Sequence, residues 1–163
     1  MGRNAVKDYQ KEVSKISRIL ICGLGSIGRR HIKVLRENWP TLEIGVLRSS
    51  EGRLDVNHSE KLVRLNSMAE ALDWGPDASI ICSPATLHVS QAIELAKNKI
   101  PVLVEKPLGV GVEKKKEMED LVSVSKSVPI LVGYTLRYEP CLLYLKQLIE
   151  DNVMGKLIEA DFY

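Results

Sequence analysis

Apolar and polar positions along the chain follow two rhythms, and the change from one to the other lays out its elements. Over residues 4–17, Val6, Tyr9, Val13 and Ile16 recur at steps of three and four, which aligns them on one face of an N-terminal helix. From Arg18 to Cys22 a short apolar run precedes glycines, the pattern of a strand buried on both faces of a parallel sheet. Helical spacing returns from Ser26 with Ile27, Ile32 and Leu35 and ends near Asn38, where Trp39-Pro40 stops it. Leu42 to Leu47 reads as a second strand, Glu51 to Glu60 as a polar surface loop, and Leu62 to Leu65 as a short third strand. Ser67 with Glu70 three residues later is a capping-box signature for the next helix. After Gly75-Pro76 come a strand (Ala78 to Cys82), a helix (Leu87 to Asn98), a strand (Pro101 to Glu105), a helix (Glu113 to Lys126), a strand (Ile130 to Tyr134) and a helix (Pro140 to Asp151). Such alternation with short connections predicts an α/β fold, a parallel sheet covered by helices on both faces.

Composition narrows the partners. The 163 residues, 45% of them hydrophobic, suffice for one sizeable core, and a net charge of +2 supplies no long-range field of the kind nucleic-acid binders use. Apolar runs such as Ile19-Leu20-Ile21-Cys22 are strand-length, well short of the roughly 20 residues that span a bilayer. Neither nucleic acid nor membrane is an expected partner. Arg3, Lys7, Asp8, Lys11 and Glu12 replace the apolar stretch of a secretory signal, so a cytoplasmic location is expected. The three cysteines, Cys22, Cys82 and Cys141, have no CxxC or Cys/His spacing, so no disulfide framework or metal site is expected.

The first chemistry-bearing motif is Gly23-Leu24-Gly25-Ser26-Ile27-Gly28, which follows the first strand and opens a helix. In that setting the first glycine permits a tight turn, the second admits a pyrophosphate, and the third lets helix and strand pack closely. The free N–H groups of the helix start face the phosphates. This is the phosphate-binding turn of a Rossmann domain, and it makes a nicotinamide dinucleotide the expected ligand. An acid about 20 residues further on would hold the ribose 2′-hydroxyl of NAD. Arg48 stands there instead, followed by Ser49 and Ser50. A guanidinium suits a 2′-phosphate, which favours NADP(H) over NAD(H). Three further segments follow the fourth, fifth and sixth strands, where an open α/β sheet delivers residues to its ligand-binding edge: Ser83-Pro84-Ala85-Thr86-Leu87-His88, Glu105-Lys106-Pro107, and Gly133 to Pro140. Lys106 can donate to a substrate oxygen and stabilise negative charge on it.

The succession GLGSIGRRH, SPATLH, EKPLG and GYTLRYEP resembles the Gfo/Idh/MocA family, oxidoreductases related to glucose-fructose oxidoreductase and inositol 2-dehydrogenase, over residues 17–163. The resemblance implies a Rossmann domain followed by a larger α/β domain with an open sheet that holds a sugar-like substrate and builds the oligomer. It places Gly23, Gly25 and Gly28 around the pyrophosphate, Pro84 and His88 along the cofactor cleft, and Glu105 and Lys106 beside the nicotinamide. Lys106 would be the catalytic residue, the peptide before Pro107 a candidate cis bond, and Arg137 the arginine that joins the two domains. His31, on the helix after the glycine turn, matches no catalytic histidine of the family and reads as structural.

The expected organisation is an N-terminal helical extension (1–17), a nucleotide-binding domain (18–155) and the first strand of a second domain (156–163). That second domain would supply the glycine-rich stretch and Asp/His pair for proton transfer, so this chain is expected to bind cofactor without turning over substrate alone. The other reading is a stand-alone NADP-binding sensor or interaction module. Leu157 to Tyr163, read as a strand with an open edge, predicts a strand-mediated dimer or a disordered tail.

Overall fold

The computed structural model describes residues 16–48, 62–111, 115–153 and 155–159. The expected N-terminal helix and the loop from Glu51 to Glu60 lie outside these residues, apart from Ile16 and Ser17. The chain divides into two units, residues 1–132 and 133–163.

In the first unit the order is β1 (Arg18–Cys22), α1 (Ser26–Asn38), β2 (Glu43–Leu47), β3 (Leu62–Leu65), α2 (Met68–Asp73), β4 (Ala78–Ile81), a 3₁₀ turn (Ala85–Leu87), α3 (His88–Lys97), β5 (Val102–Val104), α4 (Lys115–Ser125) and β6 (Ile130–Val132). The six strands are parallel and lie in the order β3-β2-β1-β4-β5-β6. This is the strand order of a doubly wound dinucleotide-binding sheet. Successive crossovers run outward to one side of β1 and then to the other, so the strand order reverses between β1 and β4.

The two-residue period of the strands sorts their side chains between two cores. Ile19, Ile21, Ile44, Val46 and Ile80 join Ile32 and Leu35 of α1 on one face. Leu20, Cys22, Leu47, Ile81, Val102 and Val104 join Ala71 of α2, Val89, Ala92 and Leu95 of α3, and Leu121 of α4 on the other. A sheet covered on both faces needs apolar side chains at consecutive positions, which is why these strands read as unbroken runs. Gly45 of β2 is forced by packing, since a Cβ there would lie 2.8 Å from the Trp74 ring and 2.9 Å from Leu65 Cδ1.

Ser67 caps α2 by accepting the Glu70 N–H at 3.1 Å, as the sequence predicts. The return half of the box is displaced by one residue, because Glu70 Oε2 accepts from the backbone and side-chain amides of Asn66. The remaining helices begin and end within two residues of their expected bounds, and α3 is preceded by a 3₁₀ turn that the apolar spacing does not distinguish from helix.

The second unit holds a 3₁₀ turn (Thr135–Tyr138) and helix α5 (Pro140–Glu150), with Pro140 in the first turn, where its missing N–H leaves no helical bond unmade. Of the strand expected over 156–163, residues 156–159 form no strand and Ile158 is exposed, while 160–163 lie outside the described residues. An apolar run acquires strand geometry through a ladder partner, and none of the described strands pairs with this segment.

The amino-terminal edge of the sheet is fastened by Asp77. Its Oδ2 accepts from the Ser17 and Arg18 backbone amides at 2.8 and 2.9 Å and from the Ser17 hydroxyl at 3.0 Å. The two backbone N–H groups hold its carboxyl below the usual carboxylate range. A depressed folded-state pKa adds stability that is present above the unfolded value and lost as pH falls through the folded one. Asp77→Asn, the neutral isostere, should therefore denature at lower urea than the parent chain at pH 7. The gap should close below about pH 4, as the parent's own carboxyl becomes protonated.

Candidate functional site

Around the carboxyl ends of β1, β2 and β4 lies a cleft of about 650 Å³, lined by Gly23, Leu24, Gly25, Leu47, Arg48, Asn66, Met68, Cys82, Ser83, Pro84, Leu87, Gln91 and Glu94. It sits at the strand-order reversal, where open α/β sheets bind ligands.

The three glycines have different physical reasons. Gly23 has φ +94°, and a Cβ on it would lie 2.8 Å from the Cys82 carbonyl oxygen and from the Ser83 backbone. Its N–H donates to Leu47 O at 3.0 Å, so the turn is fastened to the end of β2 as well. Gly28 is pressed against the Gly23 carbonyl, with no room for a side chain. Gly25 differs, for a Cβ built on it meets nothing within 4 Å. Packing within the chain explains the first and third glycines and leaves the second to be explained by what enters the cleft. Gly25 is also the N-cap of α1, with no side chain bonded to the helix start and no acid in its first turn. The orphan N–H groups of that turn and its partial positive charge suit an anion. Ser26 and Ile27 follow on the exposed first turn.

Arg48, half-buried, lines the same cleft beside Asn66, and its N–H is held by Leu65 O at 3.1 Å. Ser49 lies outside the described residues. Ser83 and Pro84 line the cleft, with Ser83 Oγ donating to Gln91 Oε1 at 2.7 Å. The placement of His88 along the cleft is corrected. Its ring is 2% exposed, with Nδ1 2.8 Å from Pro107 O and Nε2 2.9 Å from Ser83 O. Carbonyl oxygens only accept, so a neutral ring donates to one of them and an imidazolium to both. His88 thus ties the loop after β4 to the loop after β5, and any effect on a ligand runs through those backbones.

Glu105 and Lys106 stand just past β5, and the Lys106-Pro107 peptide is cis. Glu105 is half-buried: its N–H donates to Ile81 O at 2.9 Å, and its Oε1 lies 2.8 Å from His31 Nε2. Lys106 is exposed. Arg137 is exposed in the 3₁₀ turn of the second unit. Burial, and secondarily the Glu105 charge, pushes the Cys82 thiol up to about 12. Burial does the same to Cys22, helped by Cys82 and Glu94. Both thiols stay protonated at neutral pH and are poor nucleophiles. Among the described residues no cluster of three or more His, Cys, Asp or Glu could hold a metal, and no helix is long and apolar enough to cross a membrane.

The sequence reading overlooked Asn66, Met68, Gln91 and Glu94. For two of these a signal was available: Leu87, Gln91 and Glu94 stand four and three residues apart, a spacing that puts them on one helical face.

Fold and cleft define a doubly wound nucleotide-binding domain. The family described as "Oxidoreductase family, NAD-binding Rossmann fold" (Gfo/Idh/MocA) matches residues 17–134, and the chain belongs to it. Among curated relatives, the rhizopine catabolism protein MocA of Rhizobium meliloti is 28% identical over 144 residues, 86% of this chain and 44% of that protein. The scyllo-inositol 2-dehydrogenase (NAD(+)) of Bacillus subtilis is 30% identical over 145 residues, 86% of this chain and 42% of that enzyme. Among solved structures, the myo-inositol 2-dehydrogenase of Lactobacillus plantarum superposes with a TM-score of 0.74 at 24% identity, over 88% of this chain and 43% of that one. The scyllo-inositol dehydrogenase of Lactobacillus casei, solved with NAD(H) and scyllo-inositol, gives 0.73 at 22%, over 86% and 43%. At those identities the structural likeness is one of fold. The chain spans less than half the length of these relatives.

The glycine geometry yields a paired prediction. Gly28→Ala should lower unfolding stability by about 1–3 kcal/mol through overpacking against the Gly23 carbonyl. Gly25→Ala, with open space around its Cβ, should cost less than Gly28→Ala, about 0.5–1 kcal/mol, from the poorer N-cap alone. Urea denaturation of the two variants checks both values.

Proposed function

We propose that this chain is the nucleotide-binding part of an NAD(P)-dependent oxidoreductase acting on a sugar or polyol, with NADP(H) preferred over NAD(H). The observation that carries the reading is Gly25, a glycine that no neighbour in the fold requires, at the uncapped start of α1 and on the wall of the cleft. A pyrophosphate seated there would take the N–H groups of the first turn of α1 and meet no side chain. The adenosine half would lie toward β2 and β3, against Leu47, Arg48, Asn66 and Met68, with Cys82 and Leu87 on the opposite wall. Met68, Leu47 and Leu87 offer apolar surface for a flat base. Arg48, in the position where an acid would bind the ribose of NAD, favours a 2′-phosphate. The other half of the ligand would then lie toward β5, where Lys106 is exposed on the carboxyl rim.

A bound nicotinamide supplies the hydride acceptor or donor. Lys106 would donate a hydrogen bond to the substrate oxygen and oppose the negative charge that develops on it. A carbinol substrate accords with the Bacillus subtilis relative, a dehydrogenase named for a polyol. In this reading full turnover requires groups beyond those on the nucleotide-binding sheet.

Calorimetry tests the cofactor assignment. The chain should bind NADPH more tightly than NADH, and Arg48→Asp should reverse the order, weakening NADPH by roughly 1.5–3 kcal/mol through loss of a charge-assisted contact. Tighter NADH binding by the parent chain would refute the role given to Arg48.

A further inference from the structure

We propose that His31 is a positioning residue for the Glu105–Pro107 turn: its imidazole, carried on the helix that opens at the glycine turn, holds the Glu105 carboxylate and so sets Lys106 on the β5 side of the cleft. The inference rests on the dinucleotide reading of that cleft.

The carboxylate of Glu105 has no role in the sheet. β5 ends at Val104, and the backbone bond from Glu105 N–H to Ile81 O already continues the strand pairing without any side chain. Yet the carboxylate is held at both oxygens. Oε1 lies 2.8 Å from His31 Nε2, with the two side chains 25% and 18% exposed, and Oε2 accepts the Lys106 N–H at 3.2 Å. An ionised carboxylate only accepts, so the imidazole must be the donor in this pair. Beyond Lys106, the Pro107 carbonyl is held by His88. The turn is therefore gripped from two directions, by α1 through His31 and by the loop after β4 through His88 and Ser83. The same helix that would hold the pyrophosphate at its start carries, five residues into it, the side chain that fixes the Lys106 turn.

The alternative is an ion pair that merely stabilises the fold. Partly exposed pairs of this kind contribute about 0–1 kcal/mol, so removing one should hardly move the melting temperature. A positioning role predicts something different, because a turn no longer held in place must be ordered when the ligand binds. That penalty falls only on ligands that reach the β5 side. The adenosine half, on the β2 side, escapes it.

The experiment compares each dinucleotide with the fragment of it that lacks nicotinamide: NADPH with 2′-phospho-ADP-ribose, and NADH with ADP-ribose. Binding to the 163-residue chain is measured by calorimetry for the parent, His31→Ala and His31→Gln, with thermal unfolding alongside. His31→Ala should bind the dinucleotide roughly tenfold more weakly while the fragment changes by less than about twofold. His31→Gln, whose amide N–H reaches the same distance along the side chain, should recover most of the loss. Glu105→Ala should reproduce the selective loss, and the double variant His31→Ala/Glu105→Ala should add nothing to it, as expected for two residues acting as one unit. Glu105→Ala and His31→Gln carry the test should His31→Ala fail to fold. Equal effects on dinucleotide and fragment, no effect on either, no rescue by glutamine, or additive losses in the double variant would each overturn the positioning role. A parent chain that binds neither dinucleotide nor fragment would overturn the reading of the cleft itself, and the positioning role with it.

Discussion

The close approach of three backbones at the end of β1 is the constraint on which the rest of the site depends. The chain leaves the sheet at Gly23 with a positive φ, passes the Cys82–Ser83 backbone at a distance no side chain tolerates, and turns into α1 so tightly that Gly28 rests on the Gly23 carbonyl. That turn points the start of α1 at the strand-order reversal between β1 and β4. It also sets the rotation of the helix, which aims Ile32 and Leu35 at the core and places His31 beside Glu105. Relaxing the turn would move the uncapped start of α1 and the His31–Glu105 contact together.

Around this point the cleft divides by chemistry. On the β2 and β3 side lie apolar surface and the Arg48 guanidinium. On the β4 side lie Ser83, Pro84, Gln91 and Glu94, and beyond that wall, past β5, stand the Glu105 carboxylate and the exposed Lys106. The two sides are joined by α1 and by the loop after β4, so the glycine turn and the Lys106 turn form parts of one framework. Membership of the Gfo/Idh/MocA family accords with that division, since it describes an oxidoreductase with an NAD-binding Rossmann fold.

Much of this was legible in the order of residues because doubly covered parallel strands leave an unmistakable run of apolar positions. β1, β2 and β4 are such runs, and even the four-residue β3 stands where its pattern puts it. The glycine turn was legible for a related reason, since backbone contact can be met by few residue types. Two kinds of information were not. Residues 156–159 do not form the strand expected of them, because strand formation depends on a partner that local pattern does not reveal. His31 and His88 look alike as polar residues near helix starts, yet one grips a carboxylate 74 positions away and the other two carbonyls in separate loops. Contacts at such separation follow from topology, and only Gln91 and Glu94 had left a readable spacing.

The central claim is that the start of α1 beyond the glycine turn is the seat of a dinucleotide pyrophosphate. Backbone amide chemical shifts of isotopically labelled chain, followed by NMR during titration with NADPH, test it most directly. The account predicts saturable shifts largest at Gly25, Ser26 and Ile27, with further shifts at Arg48 and Asn66 on one side and Lys106 on the other. Shifts that fail to saturate, or that cluster on another face while Gly25 to Ile27 stay unchanged, would contradict it.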